Sequence, residues 1–248
     1  MQEQTKQDSP GPMLTAAVLA LAAITIMANA TIASSLPGLR AHFQDVPGIE
    51  TLAGLIVTLP SIAVVLAAGP VGWMADRFDR QKILIASALL YAIGGTAWLW
   101  AEDLTVILAG RLLLGLGVAG TMTLAMTWAA DLWQGEARAR YLGRQGAAIS
   151  AGGILFMLAG GALAMLSWRG AFAIYAVVLP VAAFALVLLA PHARRIRAAR
   201  AATGPVRAEA GADAAFPWSA YAVVAPLAFL FMTAFYLAPT RLPFLLED

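Results

Sequence analysis

The sequence predicts an all-α membrane protein. Three observations carry that prediction. Of 248 residues, 61% are hydrophobic and only 12% charged, where soluble domains run to about 45–50% and about 25%. The apolar residues fall in long uncharged runs of bilayer length. The basic residues collect in every second loop between those runs, which is an orientation signal.

Residues 1–12 are polar and carry both signs of charge at Glu3, Lys6 and Asp8. They are expected to form a cytoplasmic N-terminal segment. They do not resemble the basic start of a cleavable signal peptide, and the run that follows is too long for a signal core. A bilayer core needs roughly 20 apolar residues as a helix, and seven stretches qualify: 13–39, 51–75, 83–101, 104–130, 145–168, 170–191 and 216–240. Only the fourth is interrupted by a charge, Arg111. Backbone groups in hydrocarbon must be satisfied within their own segment, so each stretch is expected to be helical. Nothing alternates with the two-residue period of a membrane β-strand. Most of the seven Trp lie near the ends of the runs, where an amphipathic ring suits the bilayer interface.

The topology follows from counting Lys and Arg by loop. Twelve fall on the side of the N-terminus and of the loops after the second, fourth and sixth spans. Three fall opposite: Arg40, Arg169 and Arg241. The expectation is a multi-pass protein of the cell inner membrane with a cytoplasmic N-terminus. The net charge of +2 and isoelectric point near 9.2 are therefore orientation signals, and no nucleic-acid partner is expected. Residues 192–215, rich in Arg, Ala, Gly and Pro, form the longest connection. They read as a solvated basic cytoplasmic loop beside anionic headgroups and as the boundary between two halves.

Composition also excludes chemistry. With no Cys, disulfides, thiolate metal sites and cysteine nucleophiles are absent. His42 and His192 stand far apart in the sequence without ligand-like neighbours, so no metal site is expected. No span holds an acid, His or Cys cluster suited to acid–base or nucleophilic work, so no enzyme and no cofactor are expected.

Several motifs narrow the reading. The loop after the second span runs Gly72-Trp-Met-Ala-Asp76-Arg77-Phe-Asp79-Arg80-Gln-Lys82. A carboxylate at a helix end can face the positive N-terminus of a neighbouring helix, and an adjacent Arg can pair with a nearby acid. The plainer alternative is a positive-inside anchor. The fourth span contains Gly110-Arg111-Leu-Leu-Leu-Gly115-Leu-Gly117. Arg111 lies about 10 Å into that helix at 1.5 Å per residue. A charge at that depth usually faces the bundle interior, and snorkelling to the outer interface is the alternative. Gly115, Gly117 and Gly120 match a dinucleotide fingerprint in spacing, but no strand precedes them. They serve close helix approach instead. Thr25 and Asn29 sit four residues apart in the first span, as a cavity wall or as interhelical hydrogen-bonding groups. Met122 and Met126 fall near the stripe of Arg111, suited to a promiscuous apolar pocket or to core packing. Gly143, Gly152, Gly160 and Gly161 mark the fifth span as a site of close packing.

Together these residues resemble the major facilitator superfamily. The 72–82 loop resembles its first signature, departing at Met74, Asp79 and Gln81. Arg111 with Gly115 resembles its second, and the fifth-span glycines its third, which is associated with antiporters but here carries Phe156-Met157 in place of the usual Gly-Pro. The resemblance implies a six-helix N-terminal bundle of inverted three-helix repeats over 13–191. Residues 216–248 would then be the seventh helix and the start of a truncated C-terminal half. The missing half, on the same or a separate chain, is the implied partner, and the chain is expected to be a fragment. Asp76, Arg77, Arg80 and Asp131 would form a conformational latch. Arg111, with Thr25, Asn29, Met122 and Met126, would serve coupling and the cavity, while Gly72, Gly115 and the fifth-span glycines pack helices. The implied activity is alternating-access transport of a small amphipathic molecule, in the efflux direction and drug-exporter-like, with protons as candidate coupling ion and the bilayer as surroundings. The alternatives are an importer of sugars or organic acids, or a half-length scaffold that pairs with another chain without transporting.

Overall fold

The computed structural model describes residues 10–203 and, beyond them, positions 222, 226, 227 and 230. The chain divides into two units, residues 1–195 and 196–248, and the helical bundle belongs to the first. The expected seventh span, 216–240, lies outside the described residues save for those four positions.

Among the described residues, six helices are long and apolar enough to cross a membrane, and no strand occurs. The first crossing is broken: α1 (Pro12–Ala23) and α2 (Met27–His42) meet at a 3-10 turn, Ile24–Ile26. Then come α3 (Ile49–Arg77), α4 (Arg80–Thr96), α5 (Leu104–Leu132) and α6 (Gly135–Leu166). The sixth crossing opens with a 3-10 stretch, Gly170–Val177, and continues as α7 (Val178–Thr203).

Local sequence explains most helix starts. Asp79 caps α4 by accepting a hydrogen bond from the Gln81 amide at 3.0 Å, and Asp103 caps α5 through the Thr105 amide at 2.6 Å. Such caps satisfy donors left over at a helix N-terminus. Asp79 thus turns a departure from the family pattern into a start signal. Gly48 before α3 has φ +76°, and Gly135 opening α6 has φ +53°. Both are left-handed values that other residues adopt at a cost.

Three boundaries differ from the sequence-based expectation. α6 begins at Gly135 rather than at 145, and α3 runs on to Arg77. Apolarity marks where a helix meets lipid, whereas the helix itself continues into its charged flank. In the same way α7 continues through Pro191 to Thr203, so the first part of the expected 192–215 loop is helix. The Ala- and Arg-rich composition there favours helix.

α5 is the centre of the bundle, packed on one side by α3 and on another by α4, while α6 lies along α1 and α2. Glycines set how closely these helices approach. A Cβ at Gly117 would strike the Ser87 carbonyl oxygen at 2.6 Å, and one at Gly120 would strike the Ser87 side chain, so α4 and α5 cross nearly backbone to backbone. A Cβ at Gly115 would lie 2.6 Å from the Pro60 carbonyl oxygen, which brings α3 equally close. In α6, Gly152 faces Ala23 of α1, with 3.2 Å to its carbonyl oxygen, and Gly160 is buried. The packing role expected of Gly72, Gly143 and Gly161 is not met in this bundle, because a Cβ at any of them would meet nothing within 4 Å. They lie where the bundle presents an open surface to whatever surrounds it.

Two outcomes are expected. Gly117→Ala should destabilise the protein by about 1–3 kcal/mol through overpacking, whereas Gly143→Ala should be neutral or stabilising by up to about 1 kcal/mol through helix propensity. Thermal unfolding in lipid nanodiscs checks both, and equal effects would sink the assignment. The Thr105 amide beside Asp103 holds its carboxyl below the usual value. Its contribution is therefore present above the ordinary carboxylate range and is lost as pH falls through the lower folded value. Amide protection factors over residues 104–107, taken relative to the intrinsic exchange rate at each pH, should fall at acid pH, and Asp103→Ala should remove that dependence.

Candidate functional site

Arg111 is fully buried at 0% exposure. Its Nε donates to the Ile56 carbonyl at 2.9 Å, Nη2 to the Ala28 carbonyl at 3.3 Å, and Nη1 to the Tyr175 hydroxyl at 3.3 Å. The Tyr175 hydroxyl in turn donates to the Ala28 carbonyl at 3.2 Å, and the Tyr91 hydroxyl donates to the Ile24 carbonyl at 2.7 Å. No carboxylate pairs with Arg111 among the described residues.

These acceptors have a local origin. Pro60 lies inside α3 and has no N–H, so the carbonyl four residues earlier, that of Ile56, loses its helical donor. Arg111 supplies the missing hydrogen bond. The 3-10 turn at Ile24–Ile26 disturbs the hydrogen-bond ladder of the first crossing, and side chains bond the carbonyls of Ile24 within it and of Ala28 just after it. The guanidinium therefore ties α5 to α2, α3 and the 3-10 start of the sixth crossing at once. This excludes snorkelling to the outer interface.

At the other end of α5, Arg80 pairs through Nη1 with Asp131 Oδ2, and its Nε donates to the Ala75 carbonyl at 3.2 Å. Its guanidinium lies 5.7 Å from the Trp128 ring centroid, a cation–π distance. Arg80 is buried, whereas Asp131 is an exposed residue whose side chain is 28% exposed. The outlying Arg77 stacks over Trp73 at 4.2 Å, and Asp76 stands exposed beside it at the end of α3.

A third feature opens on the surface of the bundle. Val64 and Ala68 of α3 face Met122, Thr123, Met126 and Thr127 of α5 across a groove of about 440 Å³. Its polar groups are the two threonines, and the Thr127 hydroxyl donates to the Thr123 carbonyl at 2.7 Å. No charged side chain lines it.

The expected cavity set is thus divided. Met122 and Met126 line the groove, but Arg111, Thr25 and Asn29 do not. The shared stripe of Arg111 and the two Met holds on the helix, yet a 29-residue helix changes neighbours along its length. Near Arg111 it is enclosed, and near the Met it is open. Thr25 sits in the 3-10 turn and donates to the Ala22 carbonyl at 2.7 Å. The turn upsets the α-helical phase that would have put it in register with Asn29, which is half-buried in α2. Sequence reasoning missed Tyr91, Tyr175 and Pro60 around Arg111, and Trp128 beneath Arg80. Pro60 was the readable signal, since a proline well inside a spanning helix leaves the carbonyl four residues earlier in need of a donor.

The link between Arg111 and Pro60 is measurable. Arg111→Gln should cost about 1–3 kcal/mol for the orphaned Ile56 acceptor. In a Pro60→Ala background, whose new amide serves Ile56, the cost should be smaller by about 1 kcal/mol. Strict additivity of the two substitutions in chemical or thermal unfolding would refute the link.

Comparison with known proteins agrees with the geometry. The sequence profile of the Major Facilitator Superfamily matches residues 18–248. Over 170 residues the chain is 30% identical to a triacylglyceride transporter of Mycolicibacterium smegmatis, covering 67% of this chain and 27% of that protein. It is 31% identical over 137 residues to the class C tetracycline resistance protein of Escherichia coli, covering 55% and 34%. It is 27% identical over 95 residues to a glucose transporter of Staphylococcus epidermidis, covering 38% and 21%. The matched stretches thus span about a third or less of these relatives' own lengths. With six helices able to cross a membrane and a family match over most of its length, this chain is an integral membrane protein and belongs to the Major Facilitator Superfamily.

Proposed function

We propose that the protein is a secondary transporter that exports a small, uncharged, amphipathic molecule by alternating access. The carrying observation is the groove between α3 and α5, about 440 Å³ and lined by Val, Ala, Met and Thr without a charged side chain. That volume and polarity suit a drug-sized apolar ligand oriented by few polar groups. A sugar would need a dense set of hydrogen-bonding side chains, and an organic acid a cation; the groove supplies neither. The names of the relatives, which include a resistance protein and a glucose transporter, leave the direction to experiment.

In this proposal Asp76, Arg77, Arg80 and Asp131 are the latch at one end of the bundle, supported by the Arg80–Asp131 pair. Asp76 would face the N-terminus of a further helix. The excess of basic residues on one side supports a cytoplasmic N-terminus. Arg111 serves as a fixed tie between crossings, so coupling to protons would fall to carboxylates elsewhere in the carrier.

The test is flux in proteoliposomes holding the full protein. Nile red efflux should depend on an imposed proton gradient. Met122→Trp, which fills the groove from an exposed position, should slow it about tenfold or more, the effect of losing on the order of 1.4 kcal/mol of binding, with thermal stability unchanged. Dye flux indifferent to Met122→Trp would remove the groove from the pathway, and gradient-driven uptake of glucose instead of dye would reverse the assignment.

A further inference from the structure

Gln145 of α6 is 3% exposed. Its amide nitrogen donates to the Met126 sulfur at 3.7 Å, and its carbonyl oxygen has no partner among the described residues. A thioether is a weak acceptor, and a buried carbonyl left unpaired is costly. One turn earlier, on the same face of α6, the Tyr141 hydroxyl is likewise buried without a partner. Two adjacent polar groups are thus held out of water with little to bond.

Met126 connects them to the groove. It contacts the Gln145 amide, it lines the groove wall, and it is 43% exposed. Its unbranched side chain swings among rotamers at little cost. We propose that Gln145 is the polar recognition point of the substrate groove, covered in this conformation by Met126. The occupant is an uncharged amphipathic molecule whose hydroxyl, phenol or N–H group donates to the free Gln145 carbonyl oxygen once the Met126 side chain swings aside, while its apolar body lies against Val64, Ala68 and Met122. This inference rests on the groove being the transport site. It adds the chemical group that the groove selects. Neutrality follows from the absence of charge on the wall, and the hydrogen-bond donor follows from the free carbonyl oxygen.

The experiment titrates the full protein in lipid nanodiscs, against empty nanodiscs, with two uncharged fluorophores. N-phenyl-1-naphthylamine carries one N–H, and its N-methyl derivative carries none. The wild type should bind the N–H probe about tenfold more tightly, the usual worth of one well-made hydrogen bond. Gln145→Leu should abolish that preference while the unfolding temperature holds or rises, because an apolar side chain removes an unsatisfied group. Met126→Ala should keep the preference. Equal binding of the two probes by wild type, or a preference that survives Gln145→Leu, overturns the assignment of Gln145 and leaves the groove standing. A fall in unfolding temperature with loss of both probes in Gln145→Leu overturns it too, by making the amide a structural support. If neither probe binds wild type, the groove itself is not the site, and both readings fail together.

Discussion

A guanidinium buried among helices must find acceptors inside the protein, and the way Arg111 finds them organises the bundle. Removing an ion from water costs several kcal/mol even after the protein relaxes. With no carboxylate beside it among the described residues, the offset comes from the carbonyls of Ile56 and Ala28 and from the Tyr175 hydroxyl. A regular helix keeps its carbonyls occupied, so acceptors of this kind require helices that are interrupted. Pro60 interrupts α3 and a 3-10 turn interrupts the first crossing. Neither break would be comfortable in lipid without Arg111 and its tyrosines, because freed backbone groups at membrane depth must be re-satisfied. The charge and the breaks therefore stabilise each other.

The same crossing explains the spacing of the second motif. Arg111 and Gly115 lie one turn apart on α5, and their partners Ile56 and Pro60 lie one turn apart on α3. The missing side chain of Gly115 lets α3 come close enough for Ile56 to meet Arg111. On the other side of α5, Gly117 and Gly120 do the same for α4. The pair at the far end differs in kind. Asp131 keeps contact with solvent, its side chain 28% exposed, whereas Arg80 is buried. In the proposed latch this is the pair that would be made and broken, whereas the Arg111 ties cannot be broken cheaply.

How much of this was legible depends on what each residue's signal reports. Apolar runs report lipid contact, so six crossings were readable while the ends of α3, α6 and α7 were not. The break at Ile24-Thr25-Ile26 carries no Pro or Gly. It is maintained by donors from distant helices, Tyr91, Tyr175 and Arg111, that no local pattern reveals. The pairing of Arg80 with Asp131 followed from the family resemblance, since residues 51 positions apart have no local reason to meet. Glycines at motif positions were readable as small but not as packed: Gly115, Gly117 and Gly152 have close neighbours, and Gly72, Gly143 and Gly161 have open space. Gln145 passed as an ordinary boundary residue of a span, because an amide at an interface usually reaches water. Only its burial sets it apart.

The contrast between the surroundings of the two ends of α5 then becomes an argument about movement. Around Arg111 its hydrogen bonds tie α5 to α2, to α3 and to the 3-10 start of the sixth crossing, and the neighbours are close, which favours a rigid arrangement. Toward the Asp131 end, Gln145 and Tyr141 keep unpaired atoms, a methionine stands in for a proper acceptor, and the surface opens into a groove. Unmet hydrogen-bonding capacity in a buried position stores free energy that an occupant can release on binding. A carrier needs both conditions in one bundle. In the proposed carrier the region tied by Arg111 would hold its shape, and the groove wall at Gln145 would complete its bonding when substrate is present. Arg111 and Met126, the α5 residue against Gln145, lie about four turns apart on one helix.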